Sequence, residues 1–179
     1  PNLAFGLVDI GVMLPTTAMH AMLLRHCQVP LVVTSGNREG EPIVFETEQA
    51  GDALRHLADG FLHHNRRILQ PIDDAVVRWM ADRAVTLRAG RGMAPLNLAV
   101  ASMPAAVALG GQQKSAIALS NGDASILAPH VGDLSTAANR HRYLQLKQRL
   151  QTLYQCQPTG VAHDLHADYF TTQLAEELQ

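Results

Sequence analysis

The chain has 179 residues, 47% of them hydrophobic, with 14 Lys and Arg against 16 Asp and Glu for a net charge of -2. This is the make-up of a folded domain or parts of two, not of a disordered tail. There is no overall basic field of the kind that grips double-stranded nucleic acid, and no apolar run nears the roughly 20 residues of a membrane span. The N-terminus carries no signal-peptide pattern, and Cys27 and Cys156 form no C-x-x-C pair, so the reading is a cytoplasmic protein without a disulfide framework or zinc site of its own.

Leu3 to Leu14 reads as one or two extended pieces, and Thr16 to His26, after Pro15, as a helix. Pro30-Leu31-Val32-Val33 is a short apolar run too short for a helix, which predicts a strand over 30–34. A helix fits 47–58 with Thr47 as N-cap. Gly60-Phe61-Leu62, Ala75 to Trp79 and Ala84 to Arg88 read as strands, the last two joined by a polar turn at Ala81-Asp82-Arg83.

Composition shifts at 93–104, where Pro95 and Pro104 bracket small residues, as in an interdomain connection. The domains predicted are 1–98, a linker 99–105, and 106–179. Ala106 to Leu109, Ser115 to Leu119 and Ala124 to Leu127 follow as strands, with Asn121-Gly122 as a hairpin turn. A long helix is expected over 135–154, then a strand at Gly160 to His163 and a last helix capped by Asp168. The fold class is α/β with mixed-sheet α+β elements.

Thr34-Ser35-Gly36-Asn37-Arg38-Glu39-Gly40-Glu41-Pro42 follows the first predicted strand. Gly36 and Gly40 can bring a phosphate or ribose close to backbone, and Ser35 and Asn37 offer hydroxyl and amide contacts. An ordinary turn uses the same residues for its own geometry. Asp73-Asp74 could coordinate Mg2+, orient basic neighbours, or simply end a turn. Among the arginines, Arg88 and Arg91, beside Gly90 and Gly92, are the candidates for phosphate contacts.

Gly11 to Pro15, Thr34 to Pro42, Phe61 to Arg66, Asp73 to Arg78 and Arg91-Gly92 with Pro95 together resemble the YrdC-like domain of the HypF family of hydrogenase-maturation carbamoyltransferases. Ala108-Leu109-Gly110 with Lys114, His130 to Leu134, and Val161 to His166 with Asp168-Tyr169 resemble the start of the ASKHA-like, TsaD-like carbamoyl-transfer domain of the same family. The resemblance implies an incomplete YrdC-like adenylating domain followed by the beginning of the transfer domain. Acylphosphatase-like and zinc-finger segments would lie upstream in the parent protein, and the His-rich metal motif downstream.

What the family implies is a two-step chemistry. Carbamate released from carbamoyl phosphate is adenylated by ATP with Mg2+, and the carbamoyl group passes to the C-terminal cysteine of a HypE-type acceptor on the way to the cyanide ligand of NiFe-hydrogenase. By motif match, Thr34, Ser35, Asn37, Asp73, Asp74, Arg88, Arg91 and Lys114 would bind ATP or the adenylate. His130, Asp133, His163, Asp164 and His166 would serve the transfer site. No complete metal site is expected in the chain, the zinc and the transfer-domain metal having most of their ligands outside it. Glu39 stands where a serine is usual and would put negative charge at the triphosphate. Pro71, Ala75, Ala89, Ser115-Ala116 and Ala167 are further departures, which imply a divergent paralogue. The alternatives are a YrdC-type threonylcarbamoyl-AMP synthase, an O-carbamoyltransferase, or a non-catalytic nucleotide- or RNA-binding module.

Overall fold

The structure is a computed structural model that describes residues 3–100 and 102–178. It divides into two compact units, residues 1–34 and 35–179. In the first unit, helix α1 (Ala18–Cys27) begins where Thr17 Oγ1 accepts the His20 N–H at 3.1 Å and ends on Gln28 in the left-handed region, φ 52°. Both ends are thus satisfied locally. The extended pieces expected over 3–14 and the strand expected over 30–34 do not form; these segments are turns and irregular chain. Leu31 to Val33 have the composition of a strand, but a strand exists only by pairing, and no described residue pairs with them.

The second unit opens with helix α2 (Thr47–Leu54), shorter than expected. Thr47 is its first helical residue and not its cap; that position falls to Glu46, which makes no side-chain capping bond. Gly60 to Leu62 is irregular chain, again without a pairing partner among the described residues. Strands β1 (Val76–Met80) and β2 (Arg83–Arg88) form the expected antiparallel hairpin, with Met80 opposite Arg83. Its two turn residues, Ala81 and Asp82, both have positive φ, 52° and 56°, as a type I′ turn demands.

The remaining strands are β3 (Leu96–Leu98), β4 (Ala106–Ala108), β5 (Ala118–Ser120), β6 (Ser125–Leu127) and β7 (Gly160–Ala162). They make one sheet in the order β3-β6-β5-β4-β7, antiparallel except for β4 and β7. That parallel pair needs a crossover, and helix α3 (Ala137–Leu153) supplies it. β3 lies within 1–98 yet pairs with β6, so the chain enters the second sheet within the proline-bracketed stretch and ahead of the linker expected at 99–105. Helix α4 (Phe170–Glu177) closes the unit, with Tyr169 and not Asp168 at its N-cap.

The core is made by this second sheet and its helices. Val107, Leu109, Ile117, Leu119, Tyr143, Leu146, Leu150 and Leu174 pack together, and every buried hydrophobic side chain among the described residues falls between Val107 and Ala175. Tyr143, fully buried, donates from its hydroxyl to the Leu109 carbonyl at 2.6 Å, tying α3 to the end of β4. Cys156 is buried and free, its Sγ on the Ser120 carbonyl.

Candidate functional site

Residues 35–44 fold into a closed loop because Asn37 holds it from inside. Its Nδ2 donates to the carbonyls of Arg38 and Glu41, both at 2.9 Å, while its Oδ1 accepts from Ser35 Oγ at 2.5 Å. Val44 N–H then closes on the Gly36 carbonyl, and Gly40 turns the chain with φ 77°. The Asn37 amide, expected to contact a ligand, is therefore engaged in shaping the loop. Ser35 keeps acceptor capacity on its exposed hydroxyl.

The acidic pair splits into two roles. Asp74 Oδ1 accepts from Arg91 Nε and Nη2 at 3.0 and 2.6 Å, and its carbonyl accepts from Arg88 Nε at 2.8 Å. Asp73 gives its carbonyl to Arg91 N–H and turns its carboxylate towards Arg142, 3.7 Å away. Gly90 makes this crossing possible: a Cβ there would lie 2.3 Å from the Asp73 carbonyl oxygen. Arg91, engaged with Asp74, is thus no free phosphate ligand.

These pieces line a cavity of about 210 Å3. Ser35 and Asn37, Asp73 and Arg88, His130 and Asp133 from the segment after β6, and Asn139 and Arg142 of α3 all belong to its lining. The segment is anchored by a backbone bond from His130 N–H to the Ala89 carbonyl at 3.0 Å. Asp133 Oδ1 accepts from Ser135 N–H, and Gly132 takes φ 105° beside it. Burial lowers the His130 pKa; Asp73 pulls it the other way, while Arg88, Arg142 and Lys114 add to the lowering. At neutral pH the ring is therefore an uncharged donor and acceptor.

Glu39 is exposed at the loop tip and is not among the residues lining this cavity; Glu41 is. Thr34 is exposed and belongs to the first unit.

The expected transfer-site residues do not come together as one group. His163, Asp164 and His166 sit on the loop between β7 and α4, where His163 Nδ1 pairs with the Asp164 carbonyl at 2.7 Å. Asp164 Oδ1 accepts from His166 N–H, and the His166 ring stacks on Tyr169 at 4.3 Å. This loop lies against Gly111, close to the turn that carries Lys114, where a Cβ would be 3.9 Å from Asp164 Oδ2. Lys114 is exposed with φ 51°. In the same turn Ser115 is buried with its hydroxyl lacking a hydrogen-bond partner. Among the described residues, no three or more His, Cys, Asp or Glu side chains converge as a metal centre would need.

Sequence reasoning passed over Asn139 and Arg142. The signal was there in the periodicity: they neighbour Tyr143 and Leu146 on the inward stripe of α3, where polar residues need a specific partner.

Residues 1–90 match the model described as telomere recombination, of the Sua5, YciO and YrdC proteins, and residues 101–179 match that of the HypF Kae1-like domain. The chain is 37% identical over 177 residues to the carbamoyltransferase HypF of Synechocystis sp., covering 98% of itself and 23% of that protein. It is 39% identical over 172 residues to the HypF of Rhodobacter capsulatus, covering 94% of itself and again 23% of the relative. The crystal structure of a full-length HypF in phosphate- and nucleotide-bound form superposes with a TM-score of 0.90 at 35% identity, over 95% of this chain and 27% of that one. The chain thus spans about a quarter of the length of the proteins it matches, across the junction of a YrdC-like and a Kae1-like region. With both regions matched in order over nearly its whole length, the chain belongs to the HypF carbamoyltransferase family.

Proposed function

We propose that these residues form the inner part of an enzyme that makes carbamoyl-adenylate from ATP and carbamoyl phosphate. The enzyme then passes the carbamoyl group to the C-terminal cysteine of a HypE-type acceptor. The observation that carries the reading is the cavity itself, in which the Ser35–Asn37 loop of the YrdC-like half faces His130 and Asp133 of the Kae1-like half. At about 210 Å3 it is smaller than the ~300–1,000 Å3 of pockets that enclose a whole drug-sized ligand. It suits the reacting end of an adenylate, with the base lying elsewhere.

In the first step a carbamate oxygen attacks the α-phosphorus and the bond to pyrophosphate breaks. Charge builds on the phosphoryl oxygens, and fixed guanidinium groups stabilise it without reorganisation. Arg88 is the guanidinium that lines the cavity for this role; Arg142, also in the lining, is engaged with the Pro71 carbonyl and Asp73. Neutral His130 accepts or donates a hydrogen bond without adding charge. In the second step the acceptor thiolate attacks the carbamoyl carbon and AMP leaves. Asp73 and Asp74 do not fit a Mg2+ site, because each already faces an arginine.

The test is carbamoyl-phosphate-dependent exchange of labelled pyrophosphate into ATP by the full-length parent protein, repeated with Arg88→Ala. The expected result is exchange that needs carbamoyl phosphate and falls about 100-fold in the variant, the scale of losing one charge-stabilising group. Exchange that requires threonine and bicarbonate would overturn the reading.

A further inference from the structure

Helix α3 is bound to its own sheet and also holds the loops of the YrdC-like half. On the sheet side Tyr143, Leu146 and Leu150 are buried in the core. Three polar side chains reach the loops: Asn139 from the end of that same stripe, and Arg142 and Arg149, seven residues apart, from its flank. Asn139, buried, donates from Nδ2 to the Gly40 carbonyl at 3.1 Å. Arg142 Nη2 donates to the Pro71 carbonyl at 3.1 Å and stands 3.7 Å from the Asp73 carboxylate. Arg149 Nη1 donates to the Leu69 carbonyl at 2.6 Å.

Each acceptor is a backbone carbonyl of the YrdC-like half. Gly40 belongs to the loop built around Asn37, and Leu69 and Pro71 lead into Asp73. A side chain that holds a backbone carbonyl fixes the path of the chain whatever side chains that chain carries. The Arg142 side chain is only 13% exposed, so its partners cannot be exchanged for water.

We propose that Asn139 and Arg142 are positioning residues: from the Kae1-like half they set the geometry of the Ser35–Pro42 loop and of Asp73, coupling the adenylating site to the transfer domain. The effect on catalysis rests on the function proposed above, whereas the positioning itself does not.

The experiment uses the full-length parent protein with Asn139→Ala, Arg142→Ala and Arg142→Lys, read by amide hydrogen exchange and by pyrophosphate exchange. Losing one such hydrogen bond raises exchange in peptides covering 35–45 and 68–75 by about three- to tenfold, and leaves 107–119 at the wild-type rate. The KM for ATP rises and kcat falls in both alanine variants. Arg142→Lys keeps the charge but not the planar guanidinium, and recovers less than half of the lost activity. Unchanged exchange in 35–45 and 68–75, or an equal rise in 107–119, overturns the proposal. Local loosening in an enzyme whose wild type exchanges no pyrophosphate supports the positioning role and rejects the reaction assigned to the site.

Discussion

Arg142 and Asp73 meet across the junction of two differently folded halves, Nη2 to Oδ2 at 3.7 Å, with the Pro71 carbonyl completing the arginine's contacts. The pair is mostly withdrawn from water, at 13% and 21% side-chain exposure. Removing one partner therefore leaves the other charged and poorly solvated. Asp73→Ala is expected to destabilise the protein by about 1–3 kcal/mol, measured by chemical denaturation, more than Asp74→Ala, whose partner Arg91 is open to water.

His130 gives a pH dependence of stability. Burial holds its pKa below the ordinary 6.5. As pH falls through 6.5 the unfolded chain takes up a proton that the folded chain resists, so stability falls with pH below that point. Thermal melts at pH 7.5 and 5.5 are expected to show a smaller acid loss in His130→Gln than in the wild type. Asp73→Asn removes the one group that raises the His130 pKa, and should lower it further in an NMR titration.

Gly90 and Gly92 differ in the reason each is glycine. An alanine at 90 would drive its Cβ into backbone, 2.3 Å from Asp73 O and 2.7 Å from Ala75 N. Neither neighbour can rotate away. Gly90→Ala is expected to cost about 3 kcal/mol or more and to disrupt the cavity wall. Gly92 has open space around it but φ 83°, so Gly92→Ala costs about 1–2 kcal/mol from backbone strain alone. Denaturant titration of the two variants separates a clash from a strained dihedral.

Glu39 and Glu41 make opposite predictions. Glu39 is exposed outside the cavity, so Glu39→Ser should change the KM for ATP by less than about twofold, as for a screened surface charge. Glu41 lines the cavity, and Glu41→Gln should lower that KM by removing negative charge near the phosphates. Steady-state kinetics on the full-length protein checks both.

Tyr143 carries the tie between α3 and β4. Tyr143→Phe leaves the ring's packing in place and strands the Leu109 carbonyl, with an expected loss of about 1–3 kcal/mol seen as a lower denaturation midpoint.

The hairpin at Val76 to Arg88, the long helix over 137–153 and the strands at 106–108, 125–127 and 160–162 were legible in the chain because each has a local signature. Alternation, helical periodicity and turn residues act over a few positions, and motif order along the chain pointed to the family in the same way. The runs at 30–34 and 60–62 have apolar strand composition but no partner among the described residues, and a strand is defined by its partner. The same limit applied to the site. Residue types named Ser35, Asp73, Arg88 and His130 as candidates, whereas only the structure showed which groups each one meets. Asn37 turned inward to hold its own loop, Asp74 was taken by Arg91, and Arg142 entered from 69 positions beyond Asp73. The sequence by itself determined family, local elements and the stock of charged groups. Only the tertiary structure decided which charges face each other, because Coulomb and hydrogen-bond energies depend on distances of a few ångströms that packing sets and composition does not.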